Sequence, residues 1–167
     1  YFTARFADEI AAASGAGEFD AEALGKALAG KRVSVSAEIG ETTEGIEGSA
    51  SVRDLETMFQ LIYLRMSGAR KDEQAFTVWQ TNFAEALANA SRSPDAEFGK
   101  KSAEVLWQKH PRRVPPEAAD VKKVELDKAL AFYRERFANA GDFTFVIVGA
   151  VDLAKLKPLV EQYIGSL

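Results

Sequence analysis

The sequence predicts an α+β fold, an antiparallel sheet packed with several helices, in a single domain of 167 residues. Three observations carry this. One stretch, Lys31 to Ala50, changes from helical to period-two patterning and back. Every long apolar stripe outside it repeats at three and four residues. One short run, Phe143 to Val148, is apolar at nearly every position, as expected of a strand covered on both faces. The composition, 47% hydrophobic and 28% charged, is that of an ordinary globular domain. A chain of this length buries roughly 68–70% of its unfolded surface, enough for a core without staples.

In chain order, Phe2, Phe6, Ile10 and Ala13 fall at helical spacing, and Gly15 and Gly17 stop that helix. Asp20 suits the N-cap of a helix over Ala21–Ala29, with Gly30 as its C-terminal glycine. Val33, Val35, Ala37 and Ile39 then alternate with polar residues, the turn chemistry of Gly40 to Gly45 follows, and Ile46, Gly48 and Ala50 resume the alternation, which predicts an antiparallel hairpin with one covered face. Ser51-Val-Arg-Asp54 reads as a capping-box variant opening a helix with the stripe Leu55, Met58, Phe59, Ile62 and Met66, broken at Gly68. A longer helix from about Asp72 lines one side with Phe76, Trp79, Phe83, Ala86, Leu87 and Ala90. Ser93-Pro94 starts another, to about Gln108, with Phe98, Val105 and Leu106 facing inward. His110 to Ala119, with Pro111, Pro115 and Pro116, is an ordered but irregular connection. Leu130, Tyr133 and Phe137 mark a helix ending near Gly141, and Asp152 caps a final one carrying Leu156, Leu159, Val160 and Tyr163, in which Pro158 forces a later start or a kink.

The counts exclude several chemistries. There is no cysteine, hence no disulfide, thiolate zinc site or cysteine nucleophile, and the single histidine, His110, excludes any site needing two imidazoles from this chain. A net charge of −4 offers no field for nucleic acid or anionic lipid. No apolar run approaches the roughly 20 residues of a spanning helix, so no membrane span is expected. The sequence opens at Tyr1 and enters a helical pattern almost at once, without a signal-peptide pattern, and reads as an excised or processed segment.

No motif builds a site. Gly15-Ala16-Gly17 follows a helix rather than a strand and lacks the Lys-Ser/Thr of a phosphate loop, so it reads as a helix stop. Gly149 stands between strand and helix, but Asp152 brings negative charge there, as at a plain turn. Lys100, Lys101, Lys109, Arg112, Arg113, Lys122 and Lys123 form a solvated face rather than a polyanion patch, with little aromatic surface for base stacking. His110 precedes a proline and has no orienting acid, so it reads as a surface histidine. The pairs Asp8/Glu9, Asp72/Glu73 and Glu117/Asp120 are explained by helix starts, and Trp79 with Phe83 and Tyr133 with Phe137 by core spacing. An independent hydrolase using Glu9 and His110 would lack an orienter.

An ordered series of segments nevertheless resembles one domain of the pitrilysin/insulinase-type zinc peptidases, the group of mitochondrial processing peptidase. "FDAEALGKALAGKRVSVSAEIGETTEGIEGSASVRDLETMFQLIYLRM" is similar to that family's helix, hairpin and long helix with its "DLE" start. "KDEQAFTVWQTNFAEAL" resembles its next long helix, and "SPDAEFGKKSAEVLWQKHPRR" the stretch that ends in its "gdHP" loop. "LDKALAFYRERFANAGDFTFVIVGAVDLAKLKPLVEQYIGSL" resembles its closing helix, "vVGdvd" strand and final helix.

The resemblance implies a metallopeptidase fold of the LuxS/processing-peptidase type, lacking the two strands that normally precede the first helix, and hence an exposed sheet edge, a hidden partner segment or a crystallised fragment. Catalytic members hold zinc with the inverted motif H-x-x-E-H and a distant Glu. Matched through Gly15, that motif falls on Phe6-Ala7-Asp8-Glu9-Ile10, with Glu9 at the catalytic Glu and both histidines apolar; matched through Gly17, it meets Asp8, Ala11 and Ala12. The distant Glu falls near Ala86, with Glu85 one residue away. The resemblance thus implies an inactive copy, similar in wording to the third of four such domains, with no catalytic or metal-binding residue and no substrate-binding residue that can be assigned. Its expected cofactor is zinc in a catalytic domain elsewhere in the polypeptide. Its expected partners are that domain or a neighbouring subunit, and peptide substrate, with no nucleic acid. Its expected role is chamber wall and contact surface, the alternative being a scaffold or assembly module of the same fold. Exported bacterial relatives point to the periplasm.

Overall fold

A computed structural model describes residues 1–110 and 112–167. The first helical stretch is split: α1 (Phe2–Arg5) and α2 (Ala7–Ala13) meet at Phe6, whose backbone leaves helical geometry (φ −105°, ψ 13°). Gly15 ends α2 at φ +92°, where an added Cβ would lie 2.1 Å from the Phe19 carbonyl oxygen. Helix α3 (Ala21–Ala27) is shorter than expected and is capped by Asp20, whose carboxylate accepts from Ala23 N at 2.7 Å.

Strands β1 (Val33–Ile39) and β2 (Glu44–Ala50) form the expected hairpin, antiparallel with Val33 opposite Ala50 and Ile39 opposite Glu44. Among the described residues it is the whole sheet. Phe143 to Val148, expected as a strand covered on both faces, belongs to no ladder, and Val146 and Val148 are 78% and 91% exposed. Phe143 and Ile147 are half-buried, while Thr144, Phe145, Val146 and Val148 are exposed. Among the described residues no neighbouring strand pairs with it.

Helices α4 (Leu55–Ser67) and α5 (Glu73–Ala90) follow as the stripes predict. On α5, Phe76, Trp79 and Phe83 are half-buried, but Ala84 is the buried residue while Ala86 and Ala90 are exposed. Helix α6 (Pro94–Leu106) corrects the sequence reading more strongly: Phe98, Val105 and Leu106, expected inward, are 75%, 77% and 75% exposed, because among the described residues no other element packs extensively along this helix. The irregular connection after it includes Pro111, which lies outside the described residues, and gives way to α7 (Ala118–Val121). Helix α8 (Leu126–Phe137) ends before Asn139, earlier than Gly141. Helix α9 (Leu153–Leu159) starts at its Asp152 cap, runs through Pro158 and continues as a π-helical turn, Val160–Ile164.

The main core joins α2 to α8, with Ile10, Ala129 and Leu130 at 0% exposure and Tyr133 at 1%. The Tyr133 hydroxyl donates to the Arg65 carbonyl at 2.8 Å, and burial pushes its pKa up to about 12. A second cluster, Met58, Phe59 and Leu156, sits beneath the hairpin and against α9. Among the described residues no helix is long and apolar enough to cross a membrane.

Asp54 replaces the expected capping box with a longer-range tie. It is 5% exposed and accepts from Ser51 Oγ at 2.6 Å and from Arg32 N at 3.0 Å, fastening the start of α4 to the entry of β1. These two hydrogen bonds hold its carboxyl below the ordinary range, those from Ala75 N and Arg70 do so for Asp72, and that from Glu117 N for Asp120. A folded-state pKa below the unfolded value of about 3.9 contributes stability that is complete above that value and lost as pH falls through the folded value. Acid unfolding is therefore expected to begin near pH 4. Asp54→Asn should lower Tm by about 2–4 °C at pH 7 and by progressively less as pH falls through the folded-state value; thermal melts across the acid range check it.

Candidate functional site

The helix face that would carry the inverted motif is a core face. Phe6 is 3% exposed and Ile10 is 0% exposed. Trp79 and Phe83 of α5 pack on the Phe6 ring at centroid distances of 5.7 and 5.1 Å, and Phe76 stacks on Trp79 at 6.0 Å. The space that two imidazoles and a metal would need is thus filled by an aromatic cluster, held by the same i, i+3 and i, i+4 spacing that makes α5 amphipathic. Glu9 lies at the surface beside it and accepts from Trp79 Nε1 at 3.3 Å. Loss of hydration raises its carboxyl above the ordinary value of 4.5, against the opposing effect of the Trp79 bond, and neighbouring Asp8 adds to the rise. Glu85 and Ala86 are exposed. Among the described residues no group of three or more His, Cys, Asp or Glu side chains is placed to hold a metal ion.

Two clefts flank this cluster. One, of about 440 Å³, is lined by Arg5, Asp8 and Glu9, by Glu38 and Glu41 of the hairpin end, and by Arg112. Asp8 is partly consumed there, accepting from Ile39 N at 3.1 Å and so joining α2 to β1. The other, of about 810 Å³, runs between α3 and α5, with Val78, Trp79 and Phe83 as an apolar floor and Asp20, Glu22 and Asp72 as an acidic rim. A third concavity, a slot of about 500 Å³, separates β2 from Phe143–Val148.

The remaining candidates have structural partners. Gly17 N donates to the Gly68 carbonyl at 2.8 Å, so the glycine pair is a turn against the end of α4. Gly149 takes φ +154°, and Asp152 accepts from Ala154 N. His110 is exposed, its Nδ1 accepting from Arg112 N at 3.3 Å. Asp72 caps α5 and pairs with Arg70 at 2.6 Å, while Glu117 and Asp120 cap α7 reciprocally. Within the basic stretch Lys100 pairs with Glu117, Lys101 with Glu97 and Glu104, Lys123 with Asp120, and Arg113 with Glu41 at 3.1 Å while lying over the Trp107 ring. The hydrogen bond to Glu117 raises the Lys100 pKa. These pairings spread carboxylates through the stretch, as a solvated face would have. The sequence reading missed the Trp79–Glu9 and Asp8–Ile39 bonds, since partners 70 and 31 residues apart leave no local pattern.

No family model matches the chain. It is 27% identical over 161 residues, 96% of its length, to the probable zinc protease PqqL of Escherichia coli (strain K12), covering 17% of that protein. It is 28% identical over 115 residues, 68% of its length, to a zinc protease PQQL-like of Arabidopsis thaliana, covering 12% of it. Among solved structures it matches the periplasmic protease PqqL from Escherichia coli with a TM-score of 0.78 at 26% identity, over 99% of this chain and 18% of that one. It also matches the ferredoxin protease FusC, crystallised in complex with Arabidopsis ferredoxin, with a TM-score of 0.74 at 18% identity, over 97% of this chain and 18% of that one, a likeness of fold. The chain spans less than a fifth of the length of these relatives. In its named relatives and in its α+β fold alike, it is akin to one segment of the pitrilysin/insulinase-like zinc proteases.

Proposed function

We propose that residues 1–167 are a non-catalytic domain of a longer zinc metalloendopeptidase, and that they contribute chamber wall and a contact surface for peptide substrate and for neighbouring domains. The observation that carries this is the aromatic cluster over Phe6 and Ile10: where a catalytic domain would open a polar cage for metal, these side chains are buried among Trp79 and Phe83. A metal site there would require imidazoles to replace core side chains and a third ligand from an α5 whose inner face is aromatic. The zinc of the whole protein then belongs to a catalytic domain of the same polypeptide or of a neighbouring subunit. Peptide contact by shape and weak surface interactions suits the acid-rimmed groove along α5, which has an apolar floor and no single anchor. A periplasmic setting follows the relative described as a periplasmic protease.

The test is direct. The chain on its own is expected to bind no stoichiometric zinc by elemental analysis and to cleave no peptide with or without added zinc. The longer polypeptide is expected to do both through an H-x-x-E-H motif outside this segment. Zinc-dependent turnover by the chain alone overturns the proposal, and a longer polypeptide without such a motif favours the scaffold role of the same fold.

A further inference from the structure

The groove of about 810 Å³ between α3 and α5 has a floor and a rim of different chemistry. Ala75, Trp79, Asn82 and Ala86 repeat at three and four residues along α5, so the floor runs for three turns, about 16 Å at 1.5 Å per residue. Phe83 and Val78 widen it, and Val78 is 53% exposed. Asp20 and Glu22, at the start of α3, line the rim, and Asp72 lines it at the N-terminal end of α5. No lysine or arginine lines the groove. The rim charges are not equally free. Asp72 caps α5 and pairs with Arg70. Glu22 pairs with Lys26, but both side chains are at the surface, 79% and 75% exposed, and such a pair is worth little and exchanges readily. Asp20 accepts from Ala23 N, and among the described residues it forms no ion pair. At the edge of the floor Glu9 accepts from Trp79 Nε1 and also lines the smaller cleft, where it shares the wall with Arg5 and Arg112. The two clefts meet at that bond, and the acid border continues past Trp79.

We propose that this groove is a docking subsite for substrate segments in which lysine or arginine alternates with apolar residues. The inference deepens the reading above, and rests on it, that the chain supplies a contact surface for peptide substrate. A basic side chain is itself two-part: its methylene stem gains by lying on apolar surface while its charged head stays in polar surroundings. Stems laid on Val78 and Trp79 meet such a surface, an arginine gains further over the indole ring, and the heads find carboxylates at the rim. An acidic segment brings its charges against that rim with no cation in the lining to receive them. A floor of about 16 Å holds about five residues of extended peptide at about 3.3 Å each.

Trp79 reports the test. With Trp107→Phe it is the only tryptophan of the chain, and its fluorescence is titrated with acetyl-Leu-Arg-Leu-Lys-Leu-amide, with the acidic acetyl-Leu-Glu-Leu-Glu-Leu-amide, and with acetyl-Ser-Arg-Ser-Lys-Ser-amide, which keeps the charges and lacks the apolar residues. The first peptide is expected to change the signal saturably and to bind about tenfold more tightly than either of the others. Asp20→Asn with Glu22→Gln removes two charges and keeps the α3 cap, since asparagine caps as well as aspartate. It should weaken the first peptide about fivefold and leave the acidic one no weaker. Val78→Arg, at an exposed position, should abolish binding of the first peptide by covering the floor and answering the rim. In the unmodified rim, raising salt from about 20 mM to about 500 mM should weaken the first peptide alone of the two leucine peptides, a check that does not depend on the double variant folding. Equal affinity for those two peptides overturns the proposal, as does a folded double variant that binds the first peptide unchanged. In the longer polypeptide Val78→Arg should weaken the first peptide as it does in the chain alone; no change there would mean that another part of the polypeptide covers the groove, and overturns the proposal too. Failure of these tests leaves the non-catalytic reading standing, while zinc-dependent turnover by the chain alone sinks that reading and leaves the preference of the groove untouched.

Discussion

Writing the metal motif back into the chain, as Phe6→His with Ile10→His, is expected to yield no stoichiometric zinc and to cost about 4 kcal/mol of stability or more. Both positions are core, at 3% and 0% exposure. Shrinking a buried phenylalanine to a smaller side chain leaves a cavity beneath Trp79 and Phe83, and each imidazole brings polar nitrogens into a site whose neighbours are aromatic rings. Desolvating an unpaired polar group adds about 1–3 kcal/mol. Against a typical domain stability of about 5–15 kcal/mol the double variant stands near the threshold of folding. Urea unfolding gives the loss and elemental analysis gives the metal content. A folded variant with one tightly held zinc would show that the aromatic cluster moves aside easily and would remove the main support for an inactive domain.

Phe59→Ala is the second large effect, about 3–5 kcal/mol. The ring is 1% exposed in the cluster that joins α4 to the underside of the hairpin and to α9 through Leu156, so its removal loosens three elements together. The urea midpoint should fall with little change in slope. Phe98→Ala is the internal comparison: at 75% exposure on α6 it should change stability by no more than about 0.5 kcal/mol. A large loss there would mean that α6 packs against the chain after all.

What the sequence revealed and what it hid divide along physical lines. The hairpin was legible as an element, because Val33 to Ile39 alternates strictly and turn residues follow, although β2 starts at Glu44, inside the stretch Gly40 to Gly45 read as turn. The caps at Asp20 and Asp152 were legible because an N-cap acts on a backbone N–H two or three residues away. The face of α6 was not, since an apolar stripe states that something must cover it without stating that the cover lies in the same chain. Phe143–Val148 failed as a strand for the same reason: its composition reports the environment it is suited to, and among the described residues no neighbouring strand pairs with it. At the candidate site, the loss of both histidines was visible at Phe6 and Ile10, but the filling of their space by Trp79 and Phe83 depends on how α5 crosses α2, which no local pattern encodes.

The closing helix carries one residue more than an α-turn would hold. Across Val160–Ile164 the hydrogen bond spans five residues, Gly165 N donating to the Val160 carbonyl at 2.9 Å, directly after Pro158 has removed one amide donor from the winding. That extra residue resets the angular phase of everything after it. Val160 and Ile164 both stay on the side of Leu156, and the Tyr163 hydroxyl still reaches Glu56 Oε1 at 3.0 Å and Gln60 Nε2 at 3.2 Å. The C-terminus thus stores a unit of slack: losing a surface residue such as Glu161 would let the widened turn relax to ordinary pitch, whereas the same loss one turn earlier would swing Leu156 out of its seat.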